Sequence, residues 1–289
     1  MKSNALAGRL AVFASLVKAR LTLMVLITTA VGFYMGAETV SVSLLFHVLL
    51  GTALVASGAQ ALNQYLEKEH DAKMTRTANR PIPAGRIRPE IALLYGGVAS
   101  ALGLVWLALT VNLITSVVGA VTLVSYVLIY TPLKRVTPMN TVVGAIPGAL
   151  PALMGWTAAQ ATITTEGWSL VAILFFWQLP HFFAISWMYR DEYAKAGFEM
   201  LSVGDITGER TSRHALNYTI GLVPFALAPF ILRLAGFTYL AGTVILSVIF
   251  VIYAFRFTRN LTVVSARQLF YYSLLYLPLL LGLMVYDKV

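Results

Sequence analysis

The sequence predicts an all-α, polytopic membrane protein, a bundle of about nine transmembrane helices with cytoplasmic cap loops. Three observations carry this. The 289 residues are 58% hydrophobic and 11% charged, with mean hydropathy +0.78, whereas a soluble domain carries about 25% charged residues. Nine apolar runs follow one another, each near the ~20 residues that cross a bilayer core. The basic residues gather in alternate connections between those runs, which puts them on one side of the membrane. Backbone polar groups must be paired inside lipid, so the runs are helices. The ~10-residue alternating segments of a membrane barrel are absent.

The first run, 20–37, follows Lys2, Arg9, Lys18 and Arg20. It is too long for a signal peptide and lacks a small-residue cleavage site, so it reads as a span. The second, 43–65, leads into a long inner loop at 66–90. Runs 91–111 and 113–132 are joined by a short outer turn. Lys134 and Arg135 then precede 140–159. An outer turn at 160–167 leads to 168–189 and a second long inner loop, 190–214. Runs 215–232, 236–255 and 268–286 complete the chain. With the N-terminus in the cytoplasm and the C-terminus outside, only Arg233 and Lys288 of 21 Lys and Arg lie outside, and the other 19 lie inside. The net charge of +9 is thus explained by topology and needs no nucleic acid. The chain lacks a transit-type leader, which favours the cell (inner) membrane of a prokaryote, with residues 1–289 as a single membrane domain. It holds no cysteine, which excludes disulfides and thiol catalysis.

Long loops between packed helices are usually functional. The first reads NQYLEKEHDAKMTRTANRPIPAG over 63–85. Asn63, Glu67 and Asp71 are spaced four apart, so on a helix they share one face. They sit at the end of a span, where a polar stripe is costly unless used. Lys73, Arg76 and Arg80 follow. Oxygen ligands beside guanidinium forks suit a diphosphate held through a divalent cation such as Mg²⁺; the structural alternative is a set of salt bridges. Pro81 and Pro83 are expected to end a loop helix. The second loop brings Asp191 and Glu192, and the two acidic caps are expected to converge on one site.

Two further elements carry chemistry. Lys134 and Arg135 either anchor the topology or reach the diphosphate. In FFWQLPHFFAISWMYRDEY, 175–193, His181 and Glu192 differ by 11, three helical turns, and Gln178 lies on the same stripe, expected to point inward. A histidine here is a haem ligand, a base or a hydrogen-bonded core residue. Pro180 is expected to kink this span.

These residues resemble the UbiA-type intramembrane prenyltransferases, from KARLTLMVLITTAVGFYMG at 18–36 to the ninth span. NxxxExxxD with RTANRPIPAG is similar to the whole family. LKRVTPMNTVVGAIPGALPALMGW (133–156) and WQLPHFFAISWMYRDEYAKAGFEMLSV (177–203) look like its haem-farnesylating branch. The resemblance implies transfer of farnesyl from farnesyl diphosphate to a vinyl group of haem b. It implies Mg²⁺ on Asn63, Glu67, Asp71 and Glu192, with Lys134 and Asp191 also in the catalytic set. Lys73, Arg76, Arg80 and Arg135 would hold the diphosphate, and Gln178 and His181 the haem. The bilayer is a partner, and the product would pass to haem A synthase or to terminal oxidase assembly. Departures are Ala19 where the family has Pro, Glu67 where Asp is frequent, and Glu192-Tyr193 where Asp-Tyr is usual. The competing readings are a prenyltransferase for an aromatic acid such as 4-hydroxybenzoate and a haem or lipid transporter. Charges at the inner ends favour an enzyme, since transporters place them near the midplane.

Overall fold

A computed structural model describes the backbone of residues 2–289 and the side chains of residues 8 and 10–289. Met1 and the side chains of Lys2 and Arg9, counted above in the inner arm, lie outside the described residues. The described chain is helical: α1 (Lys2–Leu16), α2 (Ala19–Gly36), α3 (Val42–Asp71), α4 (Pro89–Thr110), α5 (Leu113–Val124), α6 (Thr131–Leu133), α7 (Asn140–Gln160), α8 (Thr165–Met188), α9 (Arg190–Ala196), α10 (Glu209–Ile231), α11 (Phe237–Asn260) and α12 (Val263–Tyr286). Nine helical segments among the described residues are long and apolar enough to cross a membrane, with 113–133 acting as one of them. They fall on the nine expected runs.

Local chemistry sets the boundaries. Ser41 accepts from Leu44 N, and Asn112 Oδ1 accepts from Thr115 N at 2.8 Å. Thr262 and Ser265 form a reciprocal capping box. Between α5 and α6 the chain runs as a π-helical turn, Ser125–Tyr130. Pro132 explains the shift: it has no N–H for a carbonyl four residues back, and its ring would clash with that group. A wider turn relieves both problems.

Three features depart from expectation. The N-terminal arm is itself a helix, α1, joined to α2 through Lys18 in the left-handed region at φ 46°. The first cap, 72–88, is a series of turns and contains no loop helix for Pro81 and Pro83 to end. The chain also breaks at Tyr189, with φ −116° and ψ 22°. His181 on α8 and Glu192 on α9 are therefore not on one continuous helix, and the eleven-residue register does not align them.

α7 and α8 are the most enclosed spans. α2 crosses α7 at glycines. A Cβ at Gly155 would lie 1.9 Å from Thr29 O, and one at Gly32 would lie 2.0 Å from Ala152 O. Small residues allow such backbone approach in membrane bundles. Gly155→Ala is expected to cost about 1–3 kcal/mol by overpacking, read as a lower thermal unfolding midpoint in detergent; an unchanged midpoint would contradict the close crossing. At the end of the bundle opposite the caps, Lys288 Nζ donates to Tyr34 O at 2.6 Å and Ala37 O at 2.5 Å. Beside it Asp287 accepts from Tyr239 N at 2.7 Å.

Candidate active site

One cavity of about 320 Å³ penetrates the bundle from the two caps. Its charged end carries Lys18, Glu67, Asp71, Arg76, Arg80 and Lys134. Its bore is lined by Val25, Val55, Leu123, Pro151, Met154 and Phe182. α3 runs to Asp71 without a break, so Asn63, Glu67 and Asp71 do share a face, and they are 0%, 3% and 2% exposed.

Each of the three meets a cation. Lys134 Nζ lies 2.7 Å from Glu67 Oε1, and Arg80 Nη1 lies 2.6 Å from Asp71 Oδ2. Lys18 Nζ donates to Asn63 Oδ1 at 2.8 Å. Those cations come from three separate stretches of chain, so the charged end assembles only when the bundle closes. Burial opposes the charge on Lys134, but the charge and hydrogen bond of Glu67 outweigh it and hold the ammonium above the usual lysine range. Lys18 shows the opposite outcome. Burial, with Arg80 and Lys134 nearby, lowers it to about 7 despite Glu67 and Asp71.

The first cap contributes what its sequence promised, by another route. Arg76 and Arg80 reach the cavity from turns. Arg76 Nη2 donates to Tyr193 OH at 2.6 Å, and its guanidinium faces the Tyr189 and Tyr193 rings. Lys73 is exposed and does not line the cavity. Arg135 is also outside it and donates to Leu66 O at 2.5 Å.

The caps do meet: His70 Nδ1 is 2.7 Å from Ala196 O, and Glu199 N donates to Lys134 O at 2.7 Å. The second cap, however, brings Tyr193, Phe198 and Met200 to the cavity, and no carboxylate. Asp191 points outward, its side chain 87% exposed and 3.7 Å from Arg190 Nε. Glu192 Oε2 accepts from Arg76 N at 3.5 Å, outside the lining. Past the break at Tyr189, Asp191 faces outward and Glu192 stops at the Arg76 backbone. Asp191→Asn is expected to leave turnover within about twofold, as surface changes away from special features do; a tenfold loss would restore it to the site.

Gln178 lines the cavity. Its Nε2 donates to Leu174 O at 2.9 Å, and its Oε1 lies against Gly148, where a Cβ would clash. His181 faces elsewhere. Its Nδ1 is 2.8 Å from Ser273 Oγ on α12, and its ring packs on Trp177 and Phe270. Of the three roles open to His181, the structure displays the hydrogen-bonded packing one.

Sequence reasoning missed Lys18, Tyr126, Tyr130 and Tyr193 as lining residues. Lys18 opened the quoted KARL stretch but read only as topology. Tyr130 stands four before Lys134, and its ring centroid lies 4.5 Å from that ammonium. Tyr126 OH donates to Gln60 Oε1 at 3.0 Å.

Among the described residues, no three His, Asp or Glu side chains gather closely enough to hold a metal alone. Two carboxylates and an amide oxygen on one face suit an ion that takes its remaining ligands from water and substrate phosphate, as Mg²⁺ does.

A buried acidic face ringed by cations, above an apolar bore in a helical membrane bundle, defines an enzyme that handles a charged head on a lipid-like tail. The chain belongs to the UbiA prenyltransferase family, whose profile matches residues 25–277. It is 44% identical over 286 residues to the protoheme IX farnesyltransferase of Solibacter usitatus (strain Ellin6076), covering 96% of this chain and 98% of that one. Its fold is similar to that of a digeranylgeranylglyceryl phosphate synthase, with TM-score 0.82 at 16% identity over 97% and 98% of the two chains. It is also similar to a UbiA homologue from Archaeoglobus fulgidus bound to GPP and Mg²⁺, with TM-score 0.66 at 17% identity over 94% and 99%.

Proposed function

We propose that this prenyltransferase moves the farnesyl group of farnesyl diphosphate onto a vinyl group of haem b, giving haem O after addition of water. The observation that carries the reading is the union, in one cavity, of Glu67 and Asp71 with Lys18, Arg80 and Lys134 above an apolar bore, with Asn63 on the same helix face behind Lys18. The farnesyltransferase name of the Solibacter relative supports the choice of both substrates. The ligands named for the Archaeoglobus homologue support a metal diphosphate at the charged end.

Mg²⁺ held by Asn63, Glu67 and Asp71 would neutralise charge building on the diphosphate. Lys18, Arg76, Arg80 and Lys134 supply the rest of that neutralisation. Their present partners are carboxylate, amide and hydroxyl groups, so each can exchange one oxygen acceptor for a phosphate oxygen. The C1–O bond then breaks with its electron pair leaving on diphosphate. The allylic cation left behind needs a dry pocket with aromatic faces, and Tyr126, Tyr130 and Phe182 line such a pocket. The vinyl π pair forms the new C–C bond. Water adds to the resulting ring-stabilised cation and loses a proton, so a hydroxyethyl group forms. No protein nucleophile takes part. Gln178 sits at the bore, placed to meet the haem edge.

The enzyme works in the cell (inner) membrane with its N-terminus and both caps cytoplasmic, and haem O passes to haem A synthase or to oxidase assembly. Membranes containing the protein, given farnesyl diphosphate and Mg²⁺, should convert haem b to haem O and leave 4-hydroxybenzoate unaltered. An alkylated benzoate without haem O would replace this reading with the aromatic-acid one. Haem crossing the bilayer unmodified would replace it with transport.

A further inference from the structure

We infer that Thr131 is a positioning residue which, through the π-helical turn before it, fixes which way the Asn63 side-chain amide faces. This rests on the reading of Asn63 as a ligand that joins the charged end of the cavity when Lys18 turns to the diphosphate. An amide has two unlike ends, an acceptor oxygen and a donor NH₂. If the NH₂ faced Lys18, it would repel a cation where the oxygen would bind one. Something must therefore choose the orientation.

The structure provides the choice through an ordered series of hydrogen bonds. The π register places Tyr126 O opposite Thr131, where it takes both the Thr131 backbone N–H and the Thr131 hydroxyl proton, the latter at 2.8 Å. A hydroxyl has one proton. With it committed to Tyr126 O, Thr131 Oγ1 can only accept from Asn63, and it takes Nδ2 at 3.1 Å. Oδ1 is left directed at Lys18 Nζ, 2.8 Å away, and it is Lys18 that lines the cavity. Thr131 and Asn63 are 1% and 0% exposed, so protein encloses both groups. An ordinary α-helical register would hand the backbone bond to a different carbonyl. The irregular turn, which Pro132 imposes, thus acts on the site through Thr131 and Asn63. Partners of this kind around a metal ligand are typically worth 10- to 100-fold in metal affinity.

The test uses purified full-length protein in detergent and a non-transferable farnesyl thiodiphosphate. Analogue binding is followed by calorimetry at graded Mn²⁺, and the Mn²⁺ midpoint is the readout. Thr131→Val, which keeps the shape and removes the hydroxyl, should raise that midpoint about 10- to 100-fold. Thr131→Ser should stay within about threefold. In an Asn63→Asp background both ends of the side chain are oxygens, so adding Thr131→Val should have little further effect. Thr131→Ala serves in place of Thr131→Val if the latter is not recovered folded. An unchanged midpoint in Thr131→Val, or an equal rise in Thr131→Ser, overturns the inference while leaving the site reading intact. So does an undiminished effect in the Asn63→Asp background. An Asn63→Ala protein with the parent's midpoint removes Asn63 from the site, and the inference falls with it.

Discussion

Asp71→Ala is expected to lower haem O formation at least about 10²–10³-fold, the cost of deleting one preorganised electrostatic group at developing charge, while the protein stays folded and inserted. Asp71 ends α3 at the charged end of the cavity, and it pairs with Arg80 at 2.6 Å. The Arg80 side chain is 24% exposed, so it can turn to solvent when its partner is removed. The thermal midpoint should therefore fall by only a few degrees. Asp71→Asn, which keeps the shape and one oxygen, should lose nearly as much activity, because the lost charge is what matters. Product measured by chromatography of extracted haems checks both variants. Parent-like turnover in either one would remove the acidic face from the chemistry.

Lys134→Met should be more damaging to the fold and comparably damaging to the reaction. The pair it forms with Glu67 is deeply enclosed, at 17% and 4% side-chain exposure. Removing one partner of such a pair leaves a buried charge uncompensated, at about 3–5 kcal/mol. It also deletes an ammonium that Glu67 keeps charged. The two effects separate in a second variant. Adding Glu67→Gln to Lys134→Met removes the stranded carboxylate, so the unfolding midpoint should recover while turnover stays about 10²-fold or more below the parent. Recovery of turnover together with stability would mean that Lys134 serves only to neutralise Glu67. Lys134→Arg is not a mild control here, since a planar fork differs in shape and hydration from a compact ammonium.

The spans were legible in the sequence because lipid imposes length and composition on them one at a time. The Asn63–Glu67–Asp71 face was legible for a similarly local reason: three residues at helical spacing need only a helix that continues past the membrane edge. Local patterns carried less in the second cap. The stripe from Gln178 to Glu192 assumes an unbroken helix, and past the bend at Tyr189 Asp191 faces outward while Glu192 meets the Arg76 backbone rather than the cavity. His181 turned to Ser273 because a polar side chain in the bundle takes the nearest partner, and that partner sits 92 residues away. Lys18 is the clearest omission. Its charge fitted the inside rule as well as any other, and only closure of the bundle brings it to Asn63, 45 residues on. The π turn is hinted at by Pro132, yet its effect on Asn63 needs the 68-residue reach from Thr131.

The lacing made by Asp287 and Lys288 limits where this molecule can breathe. At the end away from the caps Lys288 stitches the last membrane crossing to carbonyls at the end of the first, and Asp287 stitches it to the start of α11. Helices tied there cannot splay. Under the proposed reaction two greasy, bulky guests must enter and one must leave, so the widening that admits them falls to the opposite rim, where turns and side chains form the cover.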